Sequence, residues 1–156
     1  MNRCECPTEE SLGCLTNLSA MSARNFLSRQ LSLNGIDMTI EQFKVMVVLW
    51  KEGVSTQQNI ADFVGKDKTS VTRLIAGLEK RSLIQRTTAC QDKRCNHVTL
   101  TPQGIALEKP TMEVLQQATQ YIHRDIDPHE LAITLRVLKQ MCQTLNYSKT
   151  SSKESE

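Results

Sequence analysis

Residues 66–104, KDKTSVTRLIAGLEKRSLIQRTTACQDKRCNHVTLTPQG, decide how this chain folds. Asp67 is a good helix N-cap, and Val71, Leu74, Ile75 and Leu78 follow at helical spacing, so the segment predicts a helix with one apolar face. Lys68, Ser70, Arg73 and Gly77 fall off that face. After Leu83-Ile84 the pattern changes to two short extended runs around the polar turn Gln91-Asp92-Lys93-Arg94, which predicts a β-hairpin. Thr101-Pro102 then opens another helix, with a capping residue followed by proline where a missing N–H costs nothing. Helix, hairpin, helix, with cations on the helix face and at the hairpin tip, is the outline of a winged helix-turn-helix.

Charge is concentrated in the same place. The whole chain carries only +2. Between Lys66 and His97, eight Lys and Arg minus three acids leave +5, so the remainder carries −3. Local cation density is what matters for a polyanion, because each neutralised phosphate releases condensed counterions. A charge run by itself is most often a solvated helix face. Here the adjoining hairpin and helix turn the reading toward nucleic acid.

Working outward, the chain reads as helices. The first ten residues are polar and contain Pro7, which predicts a flexible start over 1–10. Leu12, Leu15, Leu18, Met21, Phe26, Leu27 and Leu31 recur at helical steps up to the Asn34-Gly35 stop. Thr39-Ile40-Glu41-Gln42 is a capping box that opens a second helix with the apolar run Val45–Trp50. Val54-Ser55 suits a short strand, and Thr56 caps a short helix that turns at Gly65 into the 68–80 helix, the spacing of a helix-turn-helix pair. Beyond the hairpin a helix is predicted from Pro102 to about Asp125, with a kink or stop at Pro110. Asp127-Pro128-His129-Glu130 caps a last helix. Residues 148–156 predict a disordered tail.

Two seams mark the ends of the chain. Met112, Leu115, Thr119, Ile122 and Ile126 form one, and Leu131, Leu135, Leu138, Cys142 and Leu145 the other. Aromatics make up only 4% of the sequence, so a shared core is the economical way to bury these faces. The reading is a homodimer with Leu12, Leu15, Ile122, Leu131, Leu135, Leu138 and Cys142 at the interface. Dimerisation helices are placed at about 11–34 and 102–147, around a winged helix-turn-helix at about 37–100, in one domain spanning 11–147. The fold class is therefore mainly α with a small β-hairpin.

Together, SLGCLTNL, TIEQFKVMVVLW, TQQNIADFVGKDKTSVTRLIAGLEKRSLIQR, the QDKR turn and VTLTPQG resemble the multiple-antibiotic-resistance regulator (MarR) family over about residues 11–146. The resemblance implies an obligate homodimer with interleaved terminal helices. It also implies a bacterial or archaeal transcription factor, usually a repressor released from a pseudo-palindromic operator by a small-molecule effector, a phenolic one among the candidates. Lys68, Thr69, Ser70, Thr72 and Arg73 match the first turns that enter the major groove, where Arg and Lys suit guanine edges. Arg94 matches the wing arginine that enters the minor groove, Asp92 its support, and Lys93 lies between them.

Other chemistry is set aside. No G-x-S-x-G nucleophile motif, Walker loop or dinucleotide glycine pattern occurs, so no enzyme and no cofactor are expected. His97, His123 and His129 lack metal-ligand spacing, and Cys4, Cys6 and Cys14 are too weak a set for a metal site. Cys90 and Cys95 lie on opposite arms of the hairpin, and the ordinary reading is two reduced thiols. A thiol-based redox-responsive repressor is the alternative within the family. However, Cys14 is out of register with the peroxide-sensing cysteine, and no tyrosine occurs in the first hundred residues. A protein-docking winged helix without DNA binding is the second alternative. No apolar run reaches membrane-spanning length and the N-terminus lacks a signal core, so the expected location is cytoplasmic.

Overall fold

A computed structural model describes residues 11–88 and 96–151. Seven helices and three strands are present among them: α1 (Leu12–Leu33), α2 (Ile40–Glu52), β1 (Val54–Thr56), α3 (Gln57–Val64), α4 (Lys68–Lys80), β2 (Ile84–Thr88), β3 (Asn96–Leu100), α5 (Pro102–Ala106), α6 (Glu108–His123) and α7 (Pro128–Ser151). The expected class, mainly helical with a small sheet in a winged helix-turn-helix, is what is observed. No helix among the described residues is long and apolar enough to cross a membrane.

The helix boundaries follow local chemistry. Ser11, Thr39, Thr56, Asp67 and Thr101 each accept a backbone N–H from their own helix's first turn. At α2 the box is reciprocal, since Gln42 Oε1 accepts from Thr39 N at 3.2 Å while Thr39 Oγ1 accepts from Gln42 N at 3.1 Å. α3 ends at Gly65 in the left-handed region, φ 69°, which gives the tight turn into α4.

Two compact units divide the chain, one through Thr119 and one from Gln120, and the division falls inside α6. The first holds the core: Leu31, Val45, Met46, Leu49, Ile60, Val71, Ile75, Leu78 and Val98 are fully buried. Its sheet has the order β1-β3-β2, with both pairings antiparallel. Ser55 faces Val98, and Ile84 faces Leu100. Trp50 Nε1 donates to the Gly104 carbonyl at 2.9 Å, joining α2 to α5. Gly104 has no room for a side chain, because a Cβ there would lie on the Leu83 carbonyl oxygen.

Three sequence expectations are corrected or extended. The helix after Thr101 breaks at Leu107 and not at Pro110, which occupies the first turn of α6. Proline removes the N–H that would reach Ala106 and crowds that carbonyl, so the distortion falls on the preceding turn. Secondly, α6 carries a buried stripe that the sequence reading missed, Thr111, Val114 and Ala118, one position before the seam assigned to the interface, of which Met112 and Ile122 are exposed. Thr111 fits inside because its hydroxyl donates to the Leu107 carbonyl at 2.7 Å. Thirdly, α7 continues to Ser151, past the expected tail start at 148, since no glycine or proline follows Leu145 to stop it. Residues 1–10 and 152–156, expected to be loose, lie outside the described residues.

In the second unit, the end of α6 leads through Asp127 into α7. Asp127 Oδ1 accepts from His129 N at 2.8 Å and Glu130 N at 3.1 Å. Over residues 128–145 of α7, no side chain is buried.

Candidate nucleic-acid interface

α4 has two faces of opposite chemistry. Val71, Ile75 and Leu78 go inward with no exposure, while Thr69, Arg73, Ala76 and Lys80 recur at helical steps on the exposed side. The inward face also carries Gly77, whose position leaves only 2.8 Å between a would-be Cβ and Gln42 Nε2. Burying three aliphatic side chains stabilises this orientation by roughly 1.5–3 kcal/mol each. A rotation of α4 that hid Arg73 would expose all three.

The N-terminus of α4 is built against the usual helix preference. Lys66 and Lys68 flank its start, and the first turn contains no acidic residue. Cations at the positive end of a helix cost about 0.3–1 kcal/mol each. The one compensating charge is the cap: Asp67 Oδ1 accepts from Ser70 N at 2.9 Å, and Oδ2 accepts from the Ser70 hydroxyl at 2.6 Å. The Ser70 hydroxyl, then its backbone N–H, holds the Asp67 carboxyl below its ordinary 3.8.

The cations of this region divide into two groups. Arg81 NH2 lies 3.0 Å from Asp37 Oδ2, and its NH1 also donates to the Asp37 carbonyl, tying the end of α4 to the α1–α2 loop. Arg86 pairs with Glu79 at 3.3 Å, tying β2 to α4. Lys66, Lys68 and Arg73 form no ion pair among the described residues. Part of the local +5 is therefore structural, and among the described residues the cations that remain are Lys68, Arg73 and Lys80 on α4 and Lys66 just before it.

The expected reading residues are not equivalent. Lys68, Thr69 and Arg73 are exposed. Ser70 and Thr72 are half-buried and already bonded, Ser70 to Asp67 and Thr72 Oγ1 to the Lys68 carbonyl at 2.7 Å. Thr72 also accepts from Gln57 Nε2, a contact the sequence reading did not anticipate. Its signal was present in Thr56-Gln57, a cap followed by a long amide at the first helical position. Asp92, Lys93 and Arg94, with Cys90 and Cys95, lie outside the described residues, as do Cys4 and Cys6.

At the ends of the chain, the expected interface residues are largely uncovered. On α1, Leu12 and Leu15 are 52% and 48% exposed. Ile122 and Leu135 are exposed, Leu131 and Leu138 half-buried, Cys142 exposed and Cys14 half-buried. No group of three or more metal-ligating side chains occurs among the described residues.

The comparisons agree with this geometry. A family model described as MarR family matches residues 38–96. Wild-type MarR from E. coli in its apo form superposes with a TM-score of 0.70 at 26% identity, covering 84% of this chain and 96% of that one. The S. aureus MepR–DNA complex superposes at 0.78 with 22% identity, covering 86% and 98%. Bordetella bronchiseptica BpsR, whose DNA binding is regulated by 6-hydroxynicotinic acid, superposes at 0.76 with 24% identity, covering 85% and 99%. No curated protein matches this sequence. Residues 38–96 thus match the MarR family, a family of DNA-binding transcriptional regulators and not of enzymes.

Proposed function

We propose that this chain is a homodimeric DNA-binding repressor in which α4 enters the major groove, with Lys68, Thr69 and Arg73 as the reading side chains. The observation that carries this reading is the pair of lysines at the positive end of α4, unfavourable for the isolated helix and explained by a phosphate ligand. Ser70 keeps acceptor lone pairs and suits a base amino group more than a phosphate. Lys93 and Arg94 of the wing follow the groove to its narrow side, with Asp92 orienting the arginine.

The second copy covers the exposed apolar residues Leu12, Leu15, Ile122 and Leu135, together with Leu131, Leu138 and Cys142. Two-fold symmetry then sets two copies of α4 on paired half-sites. Release by a small aromatic effector is supported by BpsR, a structural neighbour whose DNA binding responds to 6-hydroxynicotinic acid.

The test is binding to a duplex from upstream of the chain's own gene, titrated with salt against an unrelated duplex of equal length. Selective binding that weakens with salt is expected. In the same assay Arg94→Ala should lower the slope of log K against log salt by about one unit per wing, and Asp92→Ala should weaken binding although it adds net positive charge. Equal affinity for both duplexes would sink the reading.

A further inference from the structure

Gln57 is the first residue of α3, and its side chain reaches across the turn to α4. Its Nε2 donates to Thr72 Oγ1 and lies 3.4 Å from the Lys68 carbonyl oxygen. The Thr72 hydroxyl in turn donates to that same carbonyl at 2.7 Å. A hydroxyl has one proton, and here it is spent inside the helix. Phosphate oxygens at neutral pH only accept, so Thr72 cannot bond the DNA backbone without breaking this arrangement. The side chain one residue on, Arg73, is exposed, and Lys68 is exposed one turn before Thr72.

We infer that Gln57 is a positioning residue for the recognition helix, and that Thr72 serves DNA binding only by receiving its bond. The inference rests on the proposed DNA-reading role of α4. The Gln57 amide grips α4 at the turn from which Lys68 and Arg73 project, and so sets the pitch of α4 over α3. Pitch matters most to the longest lever. A bidentate guanidinium–guanine pair needs two parallel hydrogen bonds at once, whereas attraction to phosphate tolerates a few degrees of rotation. Loosening the Gln57–Thr72 bond should therefore reduce base-specific binding more than general binding. A residue that only stabilised the fold would not separate the two.

The experiment uses the full chain at a temperature well below its melting point, with folding checked by circular dichroism. Affinity is measured for the duplex from upstream of its own gene and for an unrelated duplex. Gln57→Met, close in length but without polar atoms, and Thr72→Val should each weaken binding to the first by about two- to tenfold, the size of one neutral hydrogen bond. Binding to the unrelated duplex should stay within about twofold. The double variant should be no worse than the weaker single one, because both remove the same bond. Thr72→Ser, which keeps the hydroxyl, should restore binding.

Additive losses, or a loss with Thr72→Val that Gln57→Met does not share, would mean that Thr72 touches DNA itself and would overturn the inference. So would equal losses on both duplexes. If Gln57→Met fails to fold, Gln57→Asn, whose amide is one methylene shorter and cannot reach Thr72, takes its place in the same comparison. Arg73→Ala is the control. Should it bind like the wild type while the duplexes are still distinguished, α4 is not the reader and the inference falls with that assignment. A defective Arg73→Ala beside an unaffected Gln57→Met overturns the inference alone.

Discussion

α4 and α7 start alike and end differently. Both begin at an aspartate whose carboxylate accepts N–H groups of the first turn, and both carry aliphatic residues at steps of three and four. In α4 three of the four are fully buried, with Val71, Ile75 and Leu78 all at 0% exposure and Leu74 half-buried. In α7 none of the described ones is buried, and Leu135 and Leu145 stand 48% and 65% exposed. Periodicity states that a face needs covering; it does not state what covers it. The helix-turn-helix buries the inward residues of α4 within its own unit, and the described residues of α7 keep an apolar face exposed.

The sharpest way to break this contrast is to charge the uncovered face. Leu135→Glu with Leu138→Glu removes two side chains, each worth roughly 1.5–3 kcal/mol if a second copy buries them. Loss of the dimer in sedimentation, together with loss of DNA binding, is the expected outcome. A folded double variant that still sediments as a dimer and binds DNA would show that the face covers nothing. The same change at Ile75 and Leu78 should unfold the first unit instead, which circular dichroism distinguishes.

Two glycines sharpen the contrast from the closed side. Gly104→Ala would drive a methyl group into the Leu83 backbone carbonyl, which cannot swing away. Overpacking costs about 1–3 kcal/mol, and here the upper end is expected as a lowered melting temperature. At Gly77 the obstacle is the movable end of Gln42, and alanine adds up to about 1 kcal/mol of helix propensity. Gly77→Ala should consequently come out within about 1 kcal/mol of the wild type. If the two variants melt together, the close approach of α5 to Leu83 is not what holds the base of the wing.

Arg73→Ala tests the outer face of α4. Operator affinity should fall by about 1–3 kcal/mol if the guanidinium pairs with a base edge, and discrimination at one position per half-site should relax. Stability should not change, because Arg73 is exposed and holds no ion pair among the described residues. Unchanged affinity and unchanged specificity would remove α4 as the reader.

Much of the architecture was legible because it rests on local signals. The caps at Ser11, Thr39, Thr56, Asp67 and Thr101 all lie where polar residues precede apolar periodicity. What escaped were features set by contacts between distant residues. Arg81 pairs with Asp37 and Arg86 with Glu79, so the local charge excess overstated the cations left on the surface. α6 turned out to bury a stripe that begins at Thr111, whose hydroxyl is satisfied by the Leu107 carbonyl. Ser82 adopts φ 58° at the turn out of α4, a conformation that glycine would have announced. At the interface, residue type marked the polar positions of α4 but not which hydroxyls were already bonded to Asp67 or Gln57.

The smallest effect concerns how α4 begins. Asp67 is the cap at a helix end crowded with lysines, and the Ser70 hydroxyl and N–H hold its carboxyl below the ordinary range. A carboxylate whose folded pKa lies below its unfolded value stabilises the fold above that unfolded value. The contribution is lost as the pH falls through the folded pKa, so here it is fully present at neutral pH and fades below about 4. Asp67→Ser keeps a good cap without the titrating charge. Wild type should therefore melt slightly higher than Asp67→Ser at pH 7, with the difference shrinking below pH 4 as the aspartate protonates. Because the carboxylate is fully exposed, salt should also reduce the difference. A gap in melting temperature that holds constant from pH 7 down to about 2 would mean that Asp67 caps α4 by shape alone. The lysines beside it would then be tolerated without any electrostatic compensation from the cap.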